Sequence, residues 1–280
     1  MVPAPSSLLE SLLSLPGAER AALLETLRDE DAAALLYDWL GVWARPNQLA
    51  PPGDWFAWLL DAGRGFGKTR TGAEWIRARA ESGEFGRFAL IGSTAADTRD
   101  VMIEGESGLL AVSPSWFRPE YEPSKRRVTW PNGSIATTYS GDEPDQLRGP
   151  QHDSAWADEL AKWKYATQAW DNLEFGLRLG SKPQVVVTTT PRPVPIIRLL
   201  LGDSQTVVSR GSSYDNMANL APTFIQRVIR KYEGTRLGRQ ELHAELLEDT
   251  PGALWMRQQL ETLRVLKAPA LQRVVVGVDP

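Results

Sequence analysis

A chain of 280 residues that is 42% hydrophobic can bury a full core and form one large domain with smaller pieces attached. It has no cysteine and two histidines, which excludes a disulfide framework or Cys-ligated zinc and argues against a His-rich metal site. The net charge of −4 argues against wholesale coating of nucleic acid, although a few local basic loops can still grip it. No basic segment with an apolar core behind it stands at Met1, and no apolar stretch of about eighteen residues occurs. A soluble chain with no membrane partner, compatible with a reducing cytoplasm, is therefore expected. The eleven tryptophans are expected to serve core and interface packing.

In chain order, residues 1–44 carry leucines at helical spacing (Leu8, Leu9, Leu12, Leu13, then Leu23, Leu24, Leu27, Leu35, Leu36 and Leu40), broken at Pro16 and Gly17. The spacing predicts two or three short amphipathic helices. Residues 45–248 alternate strand-like and helix-like patches, which predicts an α/β domain with a mostly parallel central sheet flanked by helices. Residues 249–272 open on Asp249, Thr250, Pro251 and Gly252 and read as a linker with one short helix. From Arg273 an apolar run leads to Asp279 and Pro280; residues 273–280 read as the first strand of a further, truncated domain. There is no internal repeat and no low-complexity tract.

The most informative segment is 61–69 (DAGRGFGKT). The apolar run at 55–60 before it reads as a buried strand, and 71–80 after it reads as a helix. A strand, a glycine-rich turn ending in Gly67, Lys68 and Thr69, and then a helix is the context that a phosphate-binding loop needs. Gly63, Gly65 and Gly67 let backbone N–H groups close around an anion, and the helix N-terminus adds partial positive charge. Lys68 is expected to reach the β- and γ-phosphates of a nucleoside triphosphate, and the Thr69 hydroxyl to ligate Mg²⁺. Ala62 stands where a first glycine is usual.

The other half of such a site should be a strand ending in acidic residues. Residues 152–157 run into Asp158 and Glu159, the first expected to hold the Mg²⁺ shell and the second to polarise the attacking water. Residues 165–179 read as a helix. Residues 184–190 (QVVVTTT) read as a buried strand whose Thr188, Thr189 and Thr190 hydroxyls face the γ-phosphate and sense its presence. Two basic groups are candidate DNA contacts: Lys125, Arg126 and Arg127 as a basic tip next to a hairpin over 128–136, whose turn is 131–133, and Arg227, Arg230, Lys231, Arg236 and Arg239 along the late helices. A solvated charged face is the simpler reading of both. No base-reading pattern appears, as suits contacts to the phosphate backbone. His243 is expected to be a packing residue.

The string over 63–69 (GRGFGKT), with Arg64 inside the loop, resembles the phosphate loop of viral large terminases, the ATPases that pump DNA into procapsids. Residues 45–48 (RPNQ) are similar to that family's adenine-reading motif, and 140–149 (SGDEPDQLRG) look like the segment before its acidic strand. Asp158, Glu159 and the run 188–191 (TTTP) match its catalytic and coupling motifs in order and spacing. The likeness covers residues 45 to about 250, reaches Asp279 weakly, and points to terminases of tailed phages and phage-like gene transfer agents.

This resemblance implies a P-loop NTPase fold of the additional-strand type, with small helical N-terminal and C-terminal subdomains. It implies ATP hydrolysis with Mg²⁺ by a homo-oligomeric ring, a pentamer, in the host cytoplasm and at the procapsid portal vertex. Double-stranded DNA, the portal protein and the small terminase subunit are the implied partners. Arg148 is then the candidate arginine finger, donated to a neighbour's γ-phosphate, with Arg64 as its rival in cis or in trans; such fingers contribute about 10³–10⁵ in rate. Gln48 becomes the adenine reader, and Arg45 stacks or fixes its loop. Asp279 resembles the first metal-binding aspartate of the family's RNase H-like nuclease domain. That chemistry needs two metals held by several carboxylates, so cutting is not expected from this chain. Two other readings stay open: a helicase- or remodeller-type ATPase, which needs a second motor lobe, and a capsid-docking protein that binds ATP without turnover.

Overall fold

The computed structural model describes residues 15–246, 260 and 262–265. The chain divides into two units, Met1–Leu246 and Leu247–Pro280. The leucines at 8–13, most of the expected linker and the expected last strand with Asp279 lie outside the described residues.

The first unit is built on one eight-stranded sheet in the order β3-β4-β5-β2-β6-β7-β1-β8. Its strands are β1 (Ala57–Ala62), β2 (Arg87–Gly92), β3 (Glu120–Glu122), β4 (Arg127–Thr129), β5 (Ile135–Ser140), β6 (Ser154–Asp158), β7 (Gln184–Thr189) and β8 (Thr206–Gly211). From β5 to β8 every pairing is parallel, and β3 and β4 extend one edge antiparallel. All residues of β1, β6 and β7 are buried. Strands covered on both faces carry near-continuous apolar runs, which is why 57–60 and 185–187 read clearly as strands. Alternation then sorts the side chains: Trp58, Leu60 and Ala62 pack on one face with Ala73, Ile76 and Ala80. Ala57 and Leu59 pack on the other with Trp170, Ile196 and Leu200.

The helices that concern the site are α1 (Gly17–Glu25), α2 (Asp29–Tyr37), α3 (Lys68–Ser82), α4 (Ala166–Gly176), α5 (Pro195–Gly202) and α6 (Arg236–Glu241). Neither α1 nor α2 has a buried residue; among the described residues the first buried apolar side chains are Trp39 and Val42 in the π-type turn Trp39–Trp43. Helix α3 starts after Gly67, at φ 101°, and stops at Gly83, at φ 74°; both positions are left-handed, where glycine carries no Cβ penalty.

The first parallel strand runs two residues later than expected, at Ala57–Ala62; Trp55 lies before it, its indole donating to the Pro51 carbonyl at 2.8 Å. The acidic strand likewise starts at Ser154 rather than 152. His152 makes only an isolated bridge to Leu177. The hairpin over 128–136 is present, with Gly133 at φ 84° in its turn. Lys125, Arg126 and Arg127 lie next to that hairpin, as expected. Lys125 and Arg126 belong to the connection of the preceding hairpin, β3 to β4, where a 3₁₀ turn at Pro123–Lys125 reverses the chain, and Arg127 opens β4 opposite Glu122. His243 is a further correction. It is exposed, its Nε2 lies 3.0 Å from Glu233, and its ring lies against that of Tyr214 at the surface.

One contact fixes how closely α3 lies on the sheet. A Cβ built on Gly72 would stand 2.3 Å from Cε2 of the fully buried Trp156. Gly72→Ala is therefore expected to destabilise the domain by about 1–3 kcal/mol through overpacking, although alanine is the better helix former. Urea unfolding checks this, and an unchanged midpoint would mean that Trp156 has room to move.

Candidate nucleotide site

At the carboxyl edge of the sheet, the loop 62–67 leads from β1 into α3. Each of its carbonyl groups has a donor. Lys68 Nζ donates to Ala62 O at 2.9 Å and Gly63 O at 3.1 Å. The Ser213 hydroxyl donates to Arg64 O, Asn216 Nδ2 to Gly65 O at 2.7 Å, and the Arg45 guanidinium to Phe66 O. Gly67 O accepts from Thr71 N and Thr71 Oγ1, both at 3.0 Å. On the amide side, Gly63 N donates to Gly211 O at 2.9 Å and Arg64 N to Glu241 O at 2.7 Å. The N–H groups of Gly65, Gly67, Lys68 and Thr69 have no backbone partner among the described residues. A loop whose carbonyls all have donors and whose N–H groups at a helix N-terminus have no backbone partner is an anion cradle.

The clamp comes from segments that sequence reasoning passed over. Ser213 and Asn216 belong to a polar 3₁₀ segment, Ser213–Asn219, that follows β8 and is capped by Ser212 and Asp215. Glu241 and Leu242 close the other side, Leu242 O accepting from Ser213 N at 2.8 Å. A Cβ on Gly63 would stand 2.8 Å from Glu241 O, so the close approach at that position requires glycine. The usable signal was the run of Ser, Asp and Asn after a strand, with its local capping pattern.

Lys68 is buried, donates to Thr190 Oγ1 at 3.2 Å and stands 3.9 Å from Glu159. Burial lowers its pKa, opposed by the charges of Glu159 and Asp158. On β6, the Asp158 carboxylate accepts from Thr188 Oγ1 at 2.6 Å, and Thr188 in turn accepts from the Trp156 indole at 3.0 Å. Burial raises the Asp158 carboxyl to about 6, against the Thr188 hydrogen bond. Glu159 sits at φ 52°, a left-handed conformation costly for a residue with a Cβ, and opens the 3₁₀ turn Leu160–Lys162. Lys162 Nζ lies 3.2 Å from its Oε2.

The structure brings most of the expected site residues to one cleft of about 1220 Å³, lined by Arg45, Gln48, Arg64, Gly65, Gly67, Lys68, Thr69, Glu159 and Thr190 among others. Thr188 and Thr189 are not brought to it. Thr188 holds Asp158, and Thr189 Oγ1 accepts from Ala161 N at 3.3 Å on the opposite face of the sheet. Gln48 is buried, with its amide donating to Thr71 Oγ1 at 3.0 Å, and Arg45 stacks on the Phe66 ring at 4.7 Å while donating to Asn216 at 2.8 Å. Both therefore brace the loop. Arg64 is exposed at the cleft. Arg148 is exposed after the 3₁₀ turn Pro144–Leu147, outside the cleft of its own chain, with no side-chain partner among the described residues.

Asp61, one residue before the loop, is 1% exposed, and neither of its oxygens has a hydrogen-bond partner. Its strand neighbours are Thr189 and Arg210. Burial pushes its carboxyl up to about 6 from an ordinary 3.8, against the pull of Arg210 and Lys68. The native state thus binds this proton more tightly than the unfolded chain. The associated stability is full below pH 4 and is lost as pH rises through 6. Asp61→Asn should gain about 2–3 kcal/mol on the wild type between pH 4 and pH 7 in urea unfolding. Parallel stability profiles for the two proteins would contradict it.

A parallel sheet with β7 inserted between the strand of the phosphate loop and the strand of the acidic pair defines a P-loop NTPase of the additional-strand type. The family model described as "Terminase large subunit, T4likevirus-type, N-terminal" matches residues 59–262, and the chain belongs to that family. Among solved structures it is similar to the large terminase ATPase domain of Thermus phage P74-26, with a TM-score of 0.57 at 17% identity, covering 79% of this chain and 99% of that one. It is also similar to the large terminase of a second, thermophilic bacteriophage in complex with ADP, with a TM-score of 0.58 at 14% identity, covering 76% of this chain. The chain spans 52% of the length of that second terminase. No curated protein matches the sequence. Among the described residues no helix is long and apolar enough to cross a membrane.

Proposed function

We propose that this chain is the ATP-hydrolysing motor portion of a large terminase, which drives double-stranded DNA through a portal into a procapsid. The observation that carries this reading is the convergence of Lys68, Glu159 and Thr190 on a loop whose carbonyls are all occupied and whose N–H groups are not. Lys68 supplies the charge for the β- and γ-phosphates of ATP, and the free loop N–H groups hold the same oxygens. The residues also fit a Mg²⁺ ion: Thr69 offers a hydroxyl at the cleft, and Asp158 is a buried carboxylate steadied on one oxygen by Thr188. Bound there, the ion would neutralise charge on the phosphates. Glu159 orients and deprotonates the attacking water.

Thr188 and Thr189 tie β7 to Asp158 and to the turn after Glu159, so in this reading a change at the phosphate end of the site is carried into the sheet. The domain organisation expected from the sequence, the ring of five subunits, the contacts with portal and small subunit, and the arrival of Arg148 from a neighbour belong to the same proposal. Steady-state ATP hydrolysis with and without double-stranded DNA tests it. Hydrolysis that needs Mg²⁺ and rises with DNA of any sequence supports the reading; tight ATP binding with no turnover in the presence of DNA and portal overturns it.

A further inference from the structure

The chain leaves β7 through alternating prolines, in the run 190–195 (TPRPVP). A proline fixes its own φ at about −65° and holds the residue before it extended, so this run has little conformational freedom. Val194 is extended, at φ −89° and ψ 153°, and its N–H donates to Arg192 O at 2.8 Å, a tie across Pro193. Both ends are anchored. Thr190 Oγ1 accepts from Lys68 Nζ at 3.2 Å, and Pro195 opens α5, whose Ile196, Ile197 and Leu200 are in the core.

Because β7 lies between β1 and β6, the run leaves the sheet between the phosphate loop and the acidic pair. Its one charged side chain, Arg192, is half-buried and lines the cleft. That side chain has no hydrogen bond or ion pair among the described residues. Neighbouring cations are engaged: Lys68 on loop carbonyls, Arg45 on Phe66 O and Asn216, and Arg70 on Glu74. A partly desolvated guanidinium without an acceptor lacks the anion that would offset its burial, and its planar fork fits two phosphate oxygens at once.

We infer that Arg192 binds the γ-phosphate of ATP in cis, presented by the proline run at the end of β7. The inference rests on the ATPase reading above and adds to it a residue that tells ATP from ADP. The loop N–H groups meet phosphates that both nucleotides carry, whereas Arg192 meets the one that ADP lacks.

The test is isothermal titration of ATPγS and of ADP, each with Mg²⁺, into dilute wild type, Arg192→Ala, Arg192→Gln and Lys68→Ala. Arg192→Ala is expected to weaken ATPγS about tenfold or more, the factor that a hydrogen bond to a charged group converts to, and to leave ADP within about twofold. Retained ADP binding also reports that the variant is folded. Arg192→Gln keeps most of the length without the charge and should lose as much as Arg192→Ala; wild-type affinity in that variant would make the role one of packing and overturn the inference. Equal loss for both nucleotides in Arg192→Ala, or no loss for either, overturns it as well, and leaves the ATPase reading intact. If the wild type binds neither nucleotide, or Lys68→Ala binds ATPγS as tightly as the wild type, the ATPase reading fails and the inference fails with it.

Discussion

Glu159→Gln is expected to lower kcat by about 10²–10⁴, the usual contribution of a positioned general base, while leaving ATP binding in place. Glutamine matches glutamate in size and accepts the same backbone strain, so the left-handed turn at φ 52° should survive. What is lost is the ability to take a proton from water. The buried anion cradle and Lys68 are untouched, so fluorescent ATP analogues should bind the variant with wild-type affinity or better. Unchanged melting temperature together with a collapsed kcat would place the loss in chemistry. A variant that still turns over at the wild-type rate would remove Glu159 from the reaction and send the search for the base elsewhere.

Arg148→Ala should have an effect of similar or greater size, about 10³–10⁵ in rate, for a different reason. Its side chain is exposed, has no partner among the described residues and stands outside the cleft of its own chain. On the proposed reading, a guanidinium in that position completes the site of a neighbouring subunit. Two results follow. Wild-type specific activity should rise with protein concentration, since isolated subunits lack the finger. Mixing the two inactive variants, Arg148→Ala and Glu159→Gln, should restore turnover, because each Arg148→Ala subunit can borrow the arginine of a Glu159→Gln neighbour. Flat specific activity and no complementation would instead assign the role to Arg64, which is already at the cleft.

The sequence made the centre of the sheet legible for a plain physical reason. Strands buried on both faces must be apolar throughout, and 57–60 and 185–187 are. The phosphate loop was legible because Gly67 and Gly65 occupy positive φ and because lysine and threonine follow at once. Strand boundaries shifted by two residues where Trp55 and His152 are buried without joining the ladder, which periodicity does not distinguish from pairing. The braces of the loop were not legible. Ser213, Asn216, Glu241 and Leu242 act through single hydrogen bonds with backbone groups far away in sequence, and such contacts leave no periodic trace. The three consecutive threonines misled for a similar reason. On a strand, successive side chains leave by opposite faces, so Thr188 and Thr189 could not both look into one cleft.

The position of β1 in the sheet bears on how the protein is made. It is the first strand to be synthesised, yet both of its neighbours, β7 and β8, begin about 130 and 150 residues later. On the ribosome the segment Ala57–Ala62 therefore emerges as an unpaired strand and waits about 6–30 s, at about 5–20 residues per second, for its partners. The phosphate loop cannot take its final shape until Leu242 has left the tunnel, since Glu241 and Leu242 are among its braces. A nascent chain stalled before that point should not be retained on immobilised ATP, and one stalled well beyond it should be, so nucleotide capture reports when the domain has closed.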